Sequence, residues 1–268
     1  MERVRVLFIF QEITPYLPET HLSLIGRNLP QGIQERGKEI RTFMPNYGII
    51  NERRHQLHEV IRLSGMNLII NDTDHPLIIK VASIQSARMQ IYFIDNEDFF
   101  SRKYMLKDEN NHDFADNDER LVFYNRGVIE TIIKLNWSPH IIHCHGWFTS
   151  LLPLYIKKCY FDNPLFANTK IVYSLYDNVF TKPFRNGFKN KVIHDGITKK
   201  DIEILNEPNC NNIQKLAIKN SDGVIVAGNK IHPELKEYLK TSKKKTMNHE
   251  EPNYVDRYSE FYDQLLKE

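Results

Sequence analysis

The chain has 268 residues, 41% hydrophobic and 11% aromatic, with 36 Lys+Arg against 34 Asp+Glu, 11 His and a formal charge of +2. That even balance excludes the basic stripe with which a nucleic-acid binder releases counterions, and an apolar content of this size lets the chain bury about 75% of its unfolded surface, excluding disorder for its bulk. Cys144, Cys159 and Cys210 cannot build a disulfide framework, and the apolar run before Gln11-Glu12 is far shorter than the roughly 20 residues of a membrane span, so a cytoplasmic protein with no membrane partner is expected.

Val4 to Phe10 is a nearly continuous β-branched and aromatic run, the pattern of a parallel strand covered on both faces. Leu22, Ile25, Leu29 and Ile33 then recur with helical spacing, Gly37 follows where a helix would stop, and Glu39 to Met44 reads as a second strand parallel to the first. Short β-rich runs between Gln56 and Asp95, separated by turn residues, predict an antiparallel meander inserted in the sheet. Strands at 140–144, 170–175 and 223–227 alternate with helices near 118–135, 149–158, 212–219 and 233–239. The expected fold is therefore α/β: a Rossmann-like, doubly wound, mostly parallel sheet with helices on both faces. A domain over 1–240 is expected to be followed by a charged tail over 241–268, a mobile linker carrying Lys243, Lys244 and Lys245 and leading to a short helix near Tyr258 to Leu266.

Gly32 to Lys38 has the spacing of a phosphate loop, but Glu39 replaces the required Ser or Thr, and the segment leaves a helix for a strand instead of entering one. No G-x-G-x-x-G occurs either. His143-Cys144-His145 closes a strand with both imidazoles on one face, too few ligands at recognisable spacing for zinc, and no metal is expected. Its position is informative, because ligands of open α/β sheets bind off the carboxyl ends of strands, where His145 would donate to a sugar or phosphate while His143 stays in the core. Asp116-Asn117-Asp118-Glu119-Arg120 opens a helix. It reads either as a cap by Asp118 with acidic first-turn residues, or as a functional cluster in which Asp116 is the candidate.

In order and spacing, residues 1–240 resemble the glycogen and bacterial or plant starch synthases. The resemblance is carried by Val6 to Glu12 with Pro15, by Leu29-Pro30 through Arg41, by Met44-Pro45-Asn46-Tyr47-Gly48, by Ile91 to Asn96, by Asp116 to Arg120 and by Ile141 to Thr149. It implies the N-terminal, acceptor-side lobe of a GT-B glycosyltransferase that moves glucose from ADP-glucose to an α-1,4-glucan. It places His145 beside the donor sugar and Asp116 in the catalytic cleft, with Glu12, Asn117, Trp147 and Thr149 as substrate contacts and Arg120 holding local structure. No cofactor is implied beyond ADP-glucose or ADP as a ligand.

The departures from the family are chemical. Its K-T-G-G-L loop, a lysine and bare backbone for a diphosphate, is here Pro18-Glu19-Thr20-His21-Leu22, and an acid a few ångströms from a diphosphate costs several kcal/mol at an effective dielectric of about 20. Its H-D-W-H-T-G is His145-Gly146-Trp147-Phe148-Thr149-Ser150, and its T-x-H-N is Ser174-Leu175-Tyr176-Asp177. The chain ends at Glu268 before a second lobe, so transfer is expected to be absent or to need a partner chain supplying that lobe, or a homodimer covering the exposed face. The alternative is a non-catalytic module of glycogen metabolism, regulatory or for assembly, that binds α-glucan or maltooligosaccharide.

Overall fold

The computed structural model describes residues 3–268. Strand β1 (Arg5–Phe10) is the pivot of the sheet: its apolar run lies buried between β2 (Glu39–Pro45) and β7 (Ile141–His145), parallel to both. The crossover between β1 and β2 is helix α1 (His21–Glu35). Thr20 caps it by accepting from the Ser23 amide, the Ser23 hydroxyl accepts in turn from the Thr20 amide, and Leu22, Ile25, Leu29 and Ile33 are at most 3% exposed. Each of those side chains contributes about 1.5–3 kcal/mol by its burial. The helix runs through Pro30 and stops before Gly37, whose φ of +82° suits glycine.

The sheet order is β10 (Lys245–Asn248), β9 (Gly223–Val226), β8 (Lys170–Leu175), β7, β1, β2, β6 (Met89–Asp95), β5 (Thr73–Ile84) and β3 (His58–Glu59), with β4 (Met66–Ile70) paired to β5. After α2 (Glu52–His55) come β3 (His58–Glu59), β4 (Met66–Ile70), β5 (Thr73–Ile84) and β6 (Met89–Asp95). The antiparallel ladders β3·β5, β4·β5 and β5·β6 match the expected meander, but they extend the edge of the sheet, and β6 itself lies parallel to β2. The burial of β6 explains this: Ile91, Phe93 and Ile94 are fully buried, as in a strand covered on both faces.

The short α3 (Glu97–Phe100) and the long α4 (Asn117–Lys134) lead to β7. A 3-10 turn at Trp147–Thr149 and α5 (Leu152–Lys158) then lead to β8 (Lys170–Leu175). Beyond α6 (Phe188–Val192), α7 (Cys210–Asn220) crosses to β9 (Gly223–Val226), followed by α8 (Pro233–Ser242).

The segment expected to be a mobile tail is part of this architecture. Lys245–Asn248 forms β10, which extends the parallel sheet beside β9, and Tyr254–Leu265 forms α9. Tyr258, Tyr262 and Leu265 are fully buried, Arg36 Nε donates to Asp256 at 2.6 Å, and Lys38 Nζ donates to Ser259 at 2.8 Å. Gly32 permits this approach, since a Cβ there would lie 2.6 Å from Val255 Cγ1. Among the described residues, no helix is long and apolar enough to cross a membrane.

Candidate functional site

The order of the sheet reverses between β1 and β7, and the carboxyl ends of those strands open on a cavity of about 530 Å³. Its wall takes Gln11 and Glu12 from the end of β1, Thr20, His21 and Leu22 from the start of α1, Trp147 from the end of β7 and Tyr176 to Val179 from the end of β8. Met105, Leu106, Lys107 and Asp113 close the opposite side. A second hollow of about 540 Å³ shares Tyr176, Asp177 and Val179 and reaches the starts of α7 and α8. Together they form a cleft along the strand ends.

At the floor of the cleft the two histidines of β7 divide their roles. Their rings lie 3.7 Å apart on one face of the strand, with His145 also stacked on Phe10 at 3.9 Å. His143 Nδ1 is 2.6 Å from the Tyr262 hydroxyl and Nε2 is 2.7 Å from that of Ser174, so it is a satisfied core group. His145 uses Nδ1 on the Tyr176 hydroxyl at 2.8 Å, and its buried Nε2 has no partner. Burial pushes both imidazoles well below their ordinary pKa, so both are neutral near pH 7. Cys144 between them is equally inert, its thiol raised by burial.

The start of α1 is occupied by the chain's own groups. Glu12, 8% exposed, accepts a hydrogen bond from the Thr20 hydroxyl, which itself accepts from the Ser23 amide at 3.0 Å. A carboxylate and a hydroxyl therefore stand where helix amides would otherwise meet an anion. Burial raises the Glu12 pKa against the opposing hydrogen bond from Thr20. Glu19 is exposed just before the cap. On the β8 side, Asp177 accepts from the Asn229 and Lys230 amides at 3.0 and 2.7 Å and so fixes the loop after β9, while Asn178 keeps both buried amide atoms unpartnered.

Of the candidates raised from sequence, Glu12 and Trp147 line the cavity, and His145 lies behind Tyr176. Asn117 and Thr149 are fully buried with their polar atoms engaged: Asn117 bridges the Leu106 carbonyl and Arg120 Nη1, each at 2.7 Å, and Thr149 donates to the Gly146 carbonyl at 2.9 Å. Both hold structure and neither offers a group to a substrate. Asp116 lies outside the cavity wall, gripped by Nη1 and Nη2 of Arg102. Burial would raise its pKa, but Arg102 outweighs that and holds it low.

Nor does Asp118 cap α4 as expected. Asp116 occupies the cap position without a capping bond, and Asp118 forms a buried ion pair with Lys191 at 2.7 Å. Arg120 is the structural residue expected, fully buried against Tyr47, Phe100 and Phe114, its pKa pushed down by burial to about 10. Of the acids between 113 and 119, the one that reaches the cavity is Asp113, which accepts from the Thr181 amide and hydroxyl, both at 3.1 Å, and lies 4.0 Å from Lys107. Nothing local in the sequence marks it, because a bridge between Lys107 and Asp113 delivers it.

The model of the starch synthase catalytic domain family matches residues 5–247. Glycogen synthase of Chlorobium limicola is 38% identical over 185 residues, 68% of this chain and 38% of that protein. Glycogen synthase of Chlorobium luteolum is 31% identical over 231 residues, 85% of this chain and 46% of that protein. The chain thus spans less than half the length of these curated relatives. Among solved structures, the catalytic domain of Starch Synthase IV from Arabidopsis thaliana, bound to ADP and acarbose, shares the fold with a TM-score of 0.72 at 17% identity, over 92% of this chain and 51% of that one.

Proposed function

The chain belongs to the starch synthase catalytic domain family, and from that premise we propose that it is the acceptor-side half of an ADP-glucose:α-1,4-glucan glucosyltransferase, with its hold on the donor diphosphate weakened. The observation that carries this reading is the Glu12–Thr20–Ser23 chain of hydrogen bonds at the start of α1. A diphosphate entering there meets an exposed Glu19 and a buried carboxyl, and finds the Ser23 amide already taken. Catalysis of phosphate departure depends on preorganised positive charge and donors aimed at the leaving oxygens, and this loop carries no Lys or Arg and has its Thr20 and Ser23 amides already engaged.

The remainder of the cleft suits a carbohydrate. Trp147, Tyr176 and Val179 give apolar faces, while Asp113, Asn178 and Gln11 give acceptors and donors, several of them buried and unpartnered. Sites that hold sugars combine such surfaces with a few fixed polar groups. His145, neutral and with its buried Nε2 unpartnered behind Tyr176, is the group proposed to meet a sugar hydroxyl once Tyr176 moves aside, with Glu12 and Trp147 on the cavity wall. Asp116 would then act only by holding Arg102. A partner chain, or a second copy, is proposed to complete the cleft for transfer.

The test is incorporation of labelled glucose from ADP-glucose into glycogen by the purified chain, alongside melting with maltooligosaccharide. The reading expects no incorporation by the chain alone and a raised melting temperature with saturating maltooligosaccharide. Rapid incorporation by the chain alone would overturn the weakened donor grip. An unchanged melting temperature would overturn the retained glucan cleft.

A further inference from the structure

At the rim of the cavity, His21 from the first position of α1 meets His249, which follows β10, and Glu251 two residues later. One ligand atom from each lies within 4.8 Å of the other two. We propose that His21, His249 and Glu251 form a zinc site that clasps the start of α1 to the segment between β10 and α9.

The chemistry of the donor set selects the metal. Two imidazoles and one carboxylate favour zinc or its first-row neighbours over magnesium or calcium, which prefer oxygen throughout. Ligand atoms on a tetrahedral zinc with bonds of 2.0–2.1 Å stand about 3.3 Å apart, and His249 Nε2 is already 3.2 Å from Glu251 Oε1. His21 has an exposed imidazole 5.2 Å from the His249 ring, which side-chain rotation brings onto the same point.

The surroundings orient the central ligand. His249 Nδ1 lies 3.1 Å from the Tyr258 hydroxyl, and Tyr258 is fully buried. With Nδ1–H donating to that oxygen, Nε2 is left with a lone pair directed at the metal position, the second-sphere arrangement that fixes imidazole ligands. Three protein ligands leave zinc a fourth position for water or an anion, and His21 lines the cavity, so that position borders the cleft. The clasp depends only on these residues and stands whether or not the cleft holds a glucan or a nucleotide.

Calorimetric titration of the chelator-treated whole chain with zinc chloride tests it, repeated with cobalt(II) to read coordination from the visible spectrum. One equivalent of zinc should bind saturably. His21→Ala and Glu251→Gln should each weaken binding at least tenfold, and cobalt should give the intense bands of tetrahedral coordination. Zinc-free melting of both variants should match the wild type, because His21 and Glu251 are exposed; should His21→Ala fail to fold, Glu251→Gln carries the test. No saturable binding, or binding that neither substitution changes, overturns the site.

Discussion

Two polar clusters stand at the same end of the sheet and are built on opposite plans. Beyond β2 and β6, Lys80 Nζ lies 2.6 Å from Glu52 and 2.8 Å from Asp95, and Asn46 Nδ2 donates to both carboxylates. Both carboxylates share the one lysine, and Asn46 Oδ1 is the one atom of this cluster buried without a partner. Beyond β1, β7 and β8, Gln11 Oε1, His145 Nε2 and both amide atoms of Asn178 are buried without partners. A buried polar group left unpaired costs about 1–3 kcal/mol, so the first cluster holds the fold together and the second spends stability on groups that a ligand can satisfy.

The largest expected effect falls on the histidines under the second cluster. His143 and His145 are held neutral by burial, whereas the unfolded chain takes up their protons near a pKa of about 6.5. The unfolded state therefore binds more protons, and stability falls as pH drops below that value. At pH 5.5 each histidine should cost about 1.4 kcal/mol, which denaturant titrations at pH 7.5 and 5.5 measure. Glu12, with its raised pKa, works in the opposite direction, but only as the pH nears the carboxylate range.

Lys80→Ala sharpens the contrast from the other side. It strips Glu52 and Asp95 of their shared cation, and because all three side chains keep some solvent the expected loss is about 2 kcal/mol. Maltooligosaccharide affinity should not change, and a loss of affinity would break the division between the clusters. Thr20→Val removes both the cap of α1 and the hydrogen bond to Glu12, and should lower stability by about 1 kcal/mol in thermal unfolding. Glu19→Lys should change stability by less than about 0.5 kcal/mol, since the site is exposed. It should nonetheless tighten ADP-glucose binding severalfold at low salt, an effect that fades as salt screens it.

Much of this was legible in the sequence where burial writes a plain pattern. The unbroken apolar run of β1 and the 22-25-29-33 spacing of α1 fix the pivot of the sheet and its first crossover. The order and spacing of the segments that resemble the family point to it, and the loss of charge in Pro18-Glu19-Thr20-His21-Leu22 points to the altered start of α1. In the closing segment the short helix near Tyr258 to Leu266 was legible, but β10 and the docking of α9 were not, for a physical reason. β10 is an edge strand of polar Lys, Thr and Asn alternating in exposure, and α9 buries its face through Tyr254, Tyr258 and Tyr262, whose hydroxyls make the stripe look polar. The site was harder still. Asp116 carries the more prominent motif, yet the cavity receives Asp113, because only the folded Lys107–Asp113 bridge decides which acid turns inward.

The account rests on the start of α1 being filled by the chain's own Glu12 and Thr20. Calorimetric titration of the chelator-treated chain with ADP tests that most directly. The account predicts no saturable heat below millimolar ADP and the emergence of binding in Glu19→Lys. Micromolar binding of ADP by the unaltered chain, with amides 19–22 protected from hydrogen exchange, would contradict it.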